Sequence, residues 1–304
     1  MNRLAVGSVI LLPMLLVVGC SELKDDLPPA GGTLALHGTG WTDSTSSNFH
    51  GKAIRAANWN MVQCRASHGP EYDGGTANVS CRTCHDQPGG PENCTTCHGS
   101  SSNPAPPRNL DGNSSRTARG VGAHQIHLNG GSISSGMPCS SCHNVPPTLY
   151  SAGHVDSPLP AEVPMGGFLP RVVTNESTNV APAAWDPNQP VYRPLPSYST
   201  TNVTCGNTYC HGYFKSGNDT LIVRWTDTSS SAAACGTCHG DVSKSTLAER
   251  ALPGRGYHAN LPSPITGAQC AFCHEDVVDA NLIIVDKTKH VNGKLNVFGQ
   301  ERDF

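Results

Sequence analysis

Residues 94–98 read Cys94-Thr95-Thr96-Cys97-His98, two cysteines three positions apart with a histidine directly after the second. The pattern recurs at Cys81-Arg82-Thr83-Cys84-His85, Cys139-Ser140-Ser141-Cys142-His143, Cys235-Gly236-Thr237-Cys238-His239 and Cys270-Ala271-Phe272-Cys273-His274. A longer version, Cys205-Gly206-Asn207-Thr208-Tyr209-Cys210-His211, sets two more residues between the cysteines. C-x-x-C-H is the attachment signature of c-type haem. Two thiols about one helical turn apart reach the two vinyl groups of one porphyrin edge and form thioethers. The adjacent imidazole turns over the ring to the iron as axial ligand. In the longer version the two extra residues must loop out while the same three contacts are kept.

Paired CxxC motifs also build zinc ribbons, in which two pairs supply four tetrahedral ligands. Zinc does not require a histidine after every second cysteine, and all six motifs have one. Disulfides fit less well, because a thiol committed to a thioether cannot also pair. Redox CxxC motifs sit near a βαβ pattern, which is not visible here.

Twelve of the fourteen cysteines belong to motifs, leaving Cys20 and Cys64. Cys20 ends an apolar run from Leu4 to Val18 that follows Arg3. The run is too short to span a bilayer and reads as a secretory signal. A small residue followed by cysteine, Gly19-Cys20, resembles the lipobox of bacterial lipoproteins. That resemblance implies cleavage before Cys20, lipidation of Cys20 and anchoring by acyl chains. Ser21 in the next position favours outer-membrane sorting by analogy. An ordinary signal with an incidental cysteine is the other reading.

Cys64 stands in Cys64-Arg65-Ala66-Ser67-His68, the same motif with serine in place of the second cysteine. A free thiol beside a chance histidine is one reading; a seventh site that has lost one thioether is the other. The histidines bear on the choice. Of fourteen, six are motif ligands. If His68 is a seventh proximal ligand, then His37, His50, His124, His127, His154, His258 and His290 remain as distal candidates. The two sets match one for one, as complete bis-histidine ligation of seven haems requires.

The composition suits a protein whose core is largely cofactor. Aromatic residues make up 6%, Gly and Pro number 32 and 24, and sustained apolar periodicity is scarce. The expected fold class is a multihaem cytochrome c, mostly irregular chain with short helices around a haem core and little sheet. A net charge of −3 gives no basic footprint for nucleic acid.

The chain divides by composition. Residues 1–19 read as a lipoprotein signal peptide and 20–36 as a lipidated tether. Residues 37–155 form a first haem block with three intact motifs and the degenerate CxxSH. A helix is expected from Asn48 to about Cys64, carrying His50 towards the Cys64 region. His124 and His127 lie on one face if their segment is helical and could ligate two neighbouring irons; two surface histidines is the alternative. Residues 156–204, with no cysteine or histidine, read as a haem-free connector. Residues 205–304 form a second haem block with one CxxxxCH and two CxxCH motifs. Thr246-Leu247-Ala248-Glu249 resembles a capping box, with Pro253 stopping the helix. Leu221–Thr226 and Leu282–Asp286 are candidate strands. The second block has three proximal ligands but only His258 and His290 beside them. If all its haems are bis-histidine, one distal ligand must come from the first block or from a neighbouring molecule; methionine could substitute, but Met61, Met137 and Met165 lie outside the second block.

With the six motifs, the Cys205–His211 variant and text such as Pro91-Glu92-Asn93-Cys94-Thr95-Thr96-Cys97-His98-Gly99-Ser100, the chain resembles the multihaem c-type cytochrome lipoproteins of metal-respiring bacteria. The resemblance runs from about His37 to the C-terminus, and Ser67 departs from it. It implies electron transfer at or outside the outer membrane. The implied partners are other cytochromes, a porin-like barrel, and extracellular metal or mineral acceptors. A six-coordinate bis-histidine haem exchanges electrons and offers no substrate site. No separate acid, base or nucleophile constellation appears, so an electron carrier is expected rather than an enzyme. Two alternatives are a polymerising filament subunit and a reductase of a small oxyanion with one open haem.

Overall fold

In the computed structural model, residues 36–100, 103, 105, 108–156, 159–174, 191–253, 258 and 260–303 are described. The signal segment, Cys20 and the tether lie outside them. The chain forms two compact units, Met1–Ala56 and Ala57–Phe304.

In the first unit, residues 36–56, the chain winds through turns into helix α1, His50–Ala56. The Trp41 carbonyl accepts the His50 backbone N–H at 2.9 Å and its ring Nδ1 at 2.8 Å. His37 stacks on Trp41 with ring centres 4.3 Å apart.

The expected helix from Asn48 to Cys64 is not continuous. Asn58 and Trp59 adopt φ of 52° and 61°, a left-handed conformation that ends a right-handed helix. The Asn60 side chain then accepts the Val62 N–H at 3.0 Å, and a new turn starts, Val62–Cys64 followed by helix α2, Arg65–His68. With that break, the idea that one helix carries His50 to Cys64 loses its basis.

The second unit is built from short pieces joined by turns. Its other helices are α3, Cys94–Cys97, α4, His124–Asn129, α5, Leu247–Ala251, and α6, Gly267–Cys273. Strands β1, Ser197–Ser199, β2, Thr204–Gly206, and β3, Val223–Arg224, pair antiparallel in that order, with Tyr198 opposite Cys205 and Cys205 opposite Val223. A hairpin joins β4, Leu295–Val297, to β5, Gln300–Arg302. The fold is thus mostly irregular with little sheet, as the composition leads one to expect. The strand expected at Leu221–Thr226 forms only at β3. Leu282–Asp286 forms no strand: Leu282 has φ of 63°, Asp279 Oδ1 takes the N–H groups of Asn281 and Ile283, and a single bridge pairs Val278 with Ile284.

The connector does more than join blocks. The Met165 and Gly167 N–H groups donate to Cys142 and Ser141 carbonyls. Met165, Val172 and Thr174 are buried.

The capping box at Thr246 is present. Thr246 Oγ1 accepts the Glu249 N–H, and Glu249 accepts the Thr246 N–H. Thr246→Ala is expected to cost about 1 kcal/mol. Hydrogen exchange should show the amides of α5 exchanging several-fold faster.

Buried apolar side chains are sparse. Met61, Tyr72, Val121, Tyr209, Val277 and Val297 are among the few described ones. In contrast, large apolar residues stand exposed inside or beside the cysteine motifs: Phe272 at 75%, Val79 at 61%, Val145 at 55% and Val62 at 50%. Others, such as Leu159 and Leu195, stand exposed away from the motifs, so the exposed apolar surface is spread over the chain.

Candidate haem centres

Four of the six motifs fold into a single tight turn. Cys81–Thr83 and Cys139–Ser141 are 3₁₀ turns, Cys94–Cys97 is α3, and Cys270 and Cys273 sit on α6. In all four the N–H of the motif histidine donates back to the carbonyl of the first cysteine, at 2.9–3.0 Å. This closed turn keeps both cysteines and the histidine within about one helical turn. The longer motif solves the same problem differently. Cys205 lies on β2, Asn207 turns the chain with φ of 55°, and Cys210 enters a fresh 3₁₀ turn, Tyr209–His211.

The histidines pair. Ring centres of His98 and His154 lie 6.1 Å apart, of His124 and His143 6.3 Å, and of His127 and His211 6.0 Å. Those of His239 and His290 lie 6.4 Å apart, and of His258 and His274 6.2 Å. With a metal–imidazole nitrogen distance of about 2 Å on either side of one iron, the two ring centres stand roughly 6 Å apart. All five pairs match that spacing, and each joins one motif histidine to one of the other candidates. The residues present therefore fit haem iron. His37, His50, His68 and His85 complete the fourteen.

The pairing answers the shortage of ligands in the second block. His127, from the first block, faces His211, while His258 and His290 face His274 and His239. His124 and His127 both sit on α4 and face the histidines of two different motifs. Trp225 lies against both rings, 4.7 Å from His124 and 5.5 Å from His127. Its Nε1 donates to the Arg119 carbonyl at 2.8 Å.

The ligand set shares an orienting device. Nδ1 of His143, His239 and His274 meets the carbonyls of Glu162, Ala251 and Asn296 at 2.7–2.9 Å. Nδ1 of His124, His127, His154 and His290 meets those of Val121, Ala123, Leu149 and Ile133 at 2.6–2.9 Å. An Nδ1–H held by a carbonyl fixes the tautomer and orients the ring so that Nε2 is the metal-facing atom. Burial also pushes His124, His211 and His239 down to about 4, and lowers His98, His127 and His290. Neutral imidazole is the form that ligates.

Burial pushes the thiols of Cys142 and Cys238 up to about 11 and of Cys205 up to about 12, and raises Cys97. Such thiols stay protonated rather than acting as reactive thiolates. Among the described residues no group of three or more His, Cys, Asp or Glu side chains could hold a metal ion.

Neighbouring motifs are held against one another. Asn218 donates its N–H to the Cys238 carbonyl at 2.8 Å and its side-chain amide to the carbonyls of Gly236 and Thr237. Cys238 Sγ lies 3.8 Å from the Cys210 carbonyl. A further regularity is the glycine after the histidine: Gly99, Gly212 and Gly240 have φ of 74°, 98° and 83°. This left-handed step is where glycine ends a turn at little cost. His-Gly is legible in the sequence once the turn is known; Trp225 and Asn218 carried no signal there.

Residues 204–239 match a family model described as the Geobacter CxxxxCH...CXXCH motif. No curated protein and no solved structure matches the chain. No helix among the described residues is long and apolar enough to cross a membrane. The six motifs and this match support a multihaem c-type cytochrome that carries electrons.

Proposed function

We propose that this chain is an outer-membrane-associated electron conduit, held by a lipid on Cys20, that passes respiratory electrons to extracellular acceptors or to other cytochromes. A porin-like barrel and metal or mineral surfaces are the partners this role implies. The observation that carries the reading is the set of five histidine pairs at the spacing of a six-coordinate iron. When bound, each haem supplies a one-electron iron couple whose potential follows its ligands and burial. The chain's own residues do the rest. Cysteine pairs anchor, carbonyls aim the imidazoles, and α4 sets two ligation sites three residues apart so that a hop between them is short.

Donation of His127 within the chain removes the need for a neighbour's ligand at His211, which weakens the filament alternative. The reductase alternative needs an iron with one open position. Carbon monoxide added to the reduced holoprotein tests it. No spectral change is expected at the five paired sites. Binding of one equivalent would favour the reductase.

A further inference from the structure

We infer that Cys64 and His68 hold a further c-type haem through a single thioether. This rests on the haem reading of the intact motifs and extends it to a segment where one of the three attachment groups is missing.

The segment is folded as the intact motifs are. Cys64 closes one turn and Arg65–His68 forms the next, so thiol and imidazole are separated by the same helical step. His68 Nδ1 meets the Val79 carbonyl at 2.8 Å, the device seen at His143, His239 and His274. The acceptor comes from a separate segment, eleven positions on, so the ring's orientation is not a by-product of the turn. Gly69 follows with φ of 83°, like the glycines after His98, His211 and His239. The backbone beyond is fitted to it. Gly74 N–H donates to the His68 carbonyl at 3.0 Å. A Cβ on Gly75 would lie 2.5 Å from the Ser67 carbonyl and 2.7 Å from the His68 carbonyl carbon. Residue 75 thus packs directly against the Ser67–His68 backbone.

Apolar side chains flank the site as they flank intact ones. Val62 and Val79 are 50% and 61% exposed, and burying them costs nothing in hydrogen bonds. The segment is tied to its intact neighbours. Tyr72 accepts the Cys81 N–H on its carbonyl, and its hydroxyl donates to Glu92, which also takes Arg65. A chance thiol beside a chance histidine accounts for none of this shared geometry.

The covalent step balances with one thiol. The Cys64 S–H adds across one vinyl C=C: a C–S and a C–H bond form, the S–H and the π bond are lost, and no electron leaves the pair. The second vinyl is kept, because Ser67 has no thiol to add.

The test is the denatured intact mass of full-length holoprotein from cells with a working cytochrome maturation system, as wild type, Cys64→Ser and Ser67→Cys. Wild type is expected to carry seven haem increments and Cys64→Ser six. Ser67→Cys should keep seven while its pyridine haemochrome band moves to shorter wavelength, as the last vinyl is consumed. Six increments in wild type would overturn the inference and leave the conduit reading standing; no haem at all would overturn both. If Cys64→Ser does not accumulate, a haem-bearing proteolytic peptide spanning 64–68 from wild type decides alone.

Discussion

Replacing His127 with alanine is expected to open one iron, the one beside His211. Every other non-motif histidine near the second block is engaged: His258 faces His274 and His290 faces His239. Trp225, which packs on His127, has only an indole N–H and cannot ligate. The variant should show a high-spin fraction of one haem and, once reduced, bind one equivalent of carbon monoxide where wild type binds none at the paired sites. Added imidazole should restore the low-spin spectrum. A purely structural role for His127 predicts misfolding without rescue. Alanine is a good helix former, so α4 and the neighbouring His124 site should persist.

The second large effect is expected at Gly240→Ala. Gly240 has φ of 83°, where a Cβ costs about 1–2 kcal/mol by itself. The Cβ would lie 2.0 Å from the Arg250 carbonyl oxygen and 3.1 Å from the Ala251 carbonyl carbon. Those are backbone atoms with work to do: Arg250 O accepts the Asp241 N–H and Ala251 O holds His239 Nδ1, both at 2.9 Å. Something must shift, and either movement unseats His239. A loss of about 3 kcal/mol or more is expected, visible as a lower thermal midpoint and a perturbed spectrum at one haem. Gly112→Ala is the control. It has the same φ of 83° but meets nothing within 4 Å, so it should show the conformational cost alone.

These expectations divide what the sequence reveals from what it conceals. Attachment chemistry is local: two thiols and an imidazole within five or seven residues, so all six motifs and the irregular fold are legible from spacing. The capping box at Thr246 is legible for the same reason. Distal ligation is not local. That His154 serves His98, or that His127 crosses to His211, depends on where turns send the chain, and nothing near either residue says so. Counting says only that, if every haem is bis-histidine, one ligand comes from the first block or from a neighbouring molecule. The helix expected from Asn48 to Cys64 failed because two non-glycine residues, Asn58 and Trp59, take left-handed φ, which propensity does not foresee. The connector was read from what it lacks, cysteine and histidine, whereas it contributes the Glu162 carbonyl that orients His143.

The reach of the histidine pairs also sets what each costs to close. His124 closes with His143, and His258 with His274, across short loops whose ends meet at low entropic cost, whereas the span from His127 to His211 is longer and costlier to close. His290 is the last histidine in the chain, and its Nδ1 is held by the Ile133 carbonyl, 157 positions earlier. His290 therefore faces His239 only when its segment is packed back upon residue 133, so the Cys235–His239 site depends on the costliest closure of the set.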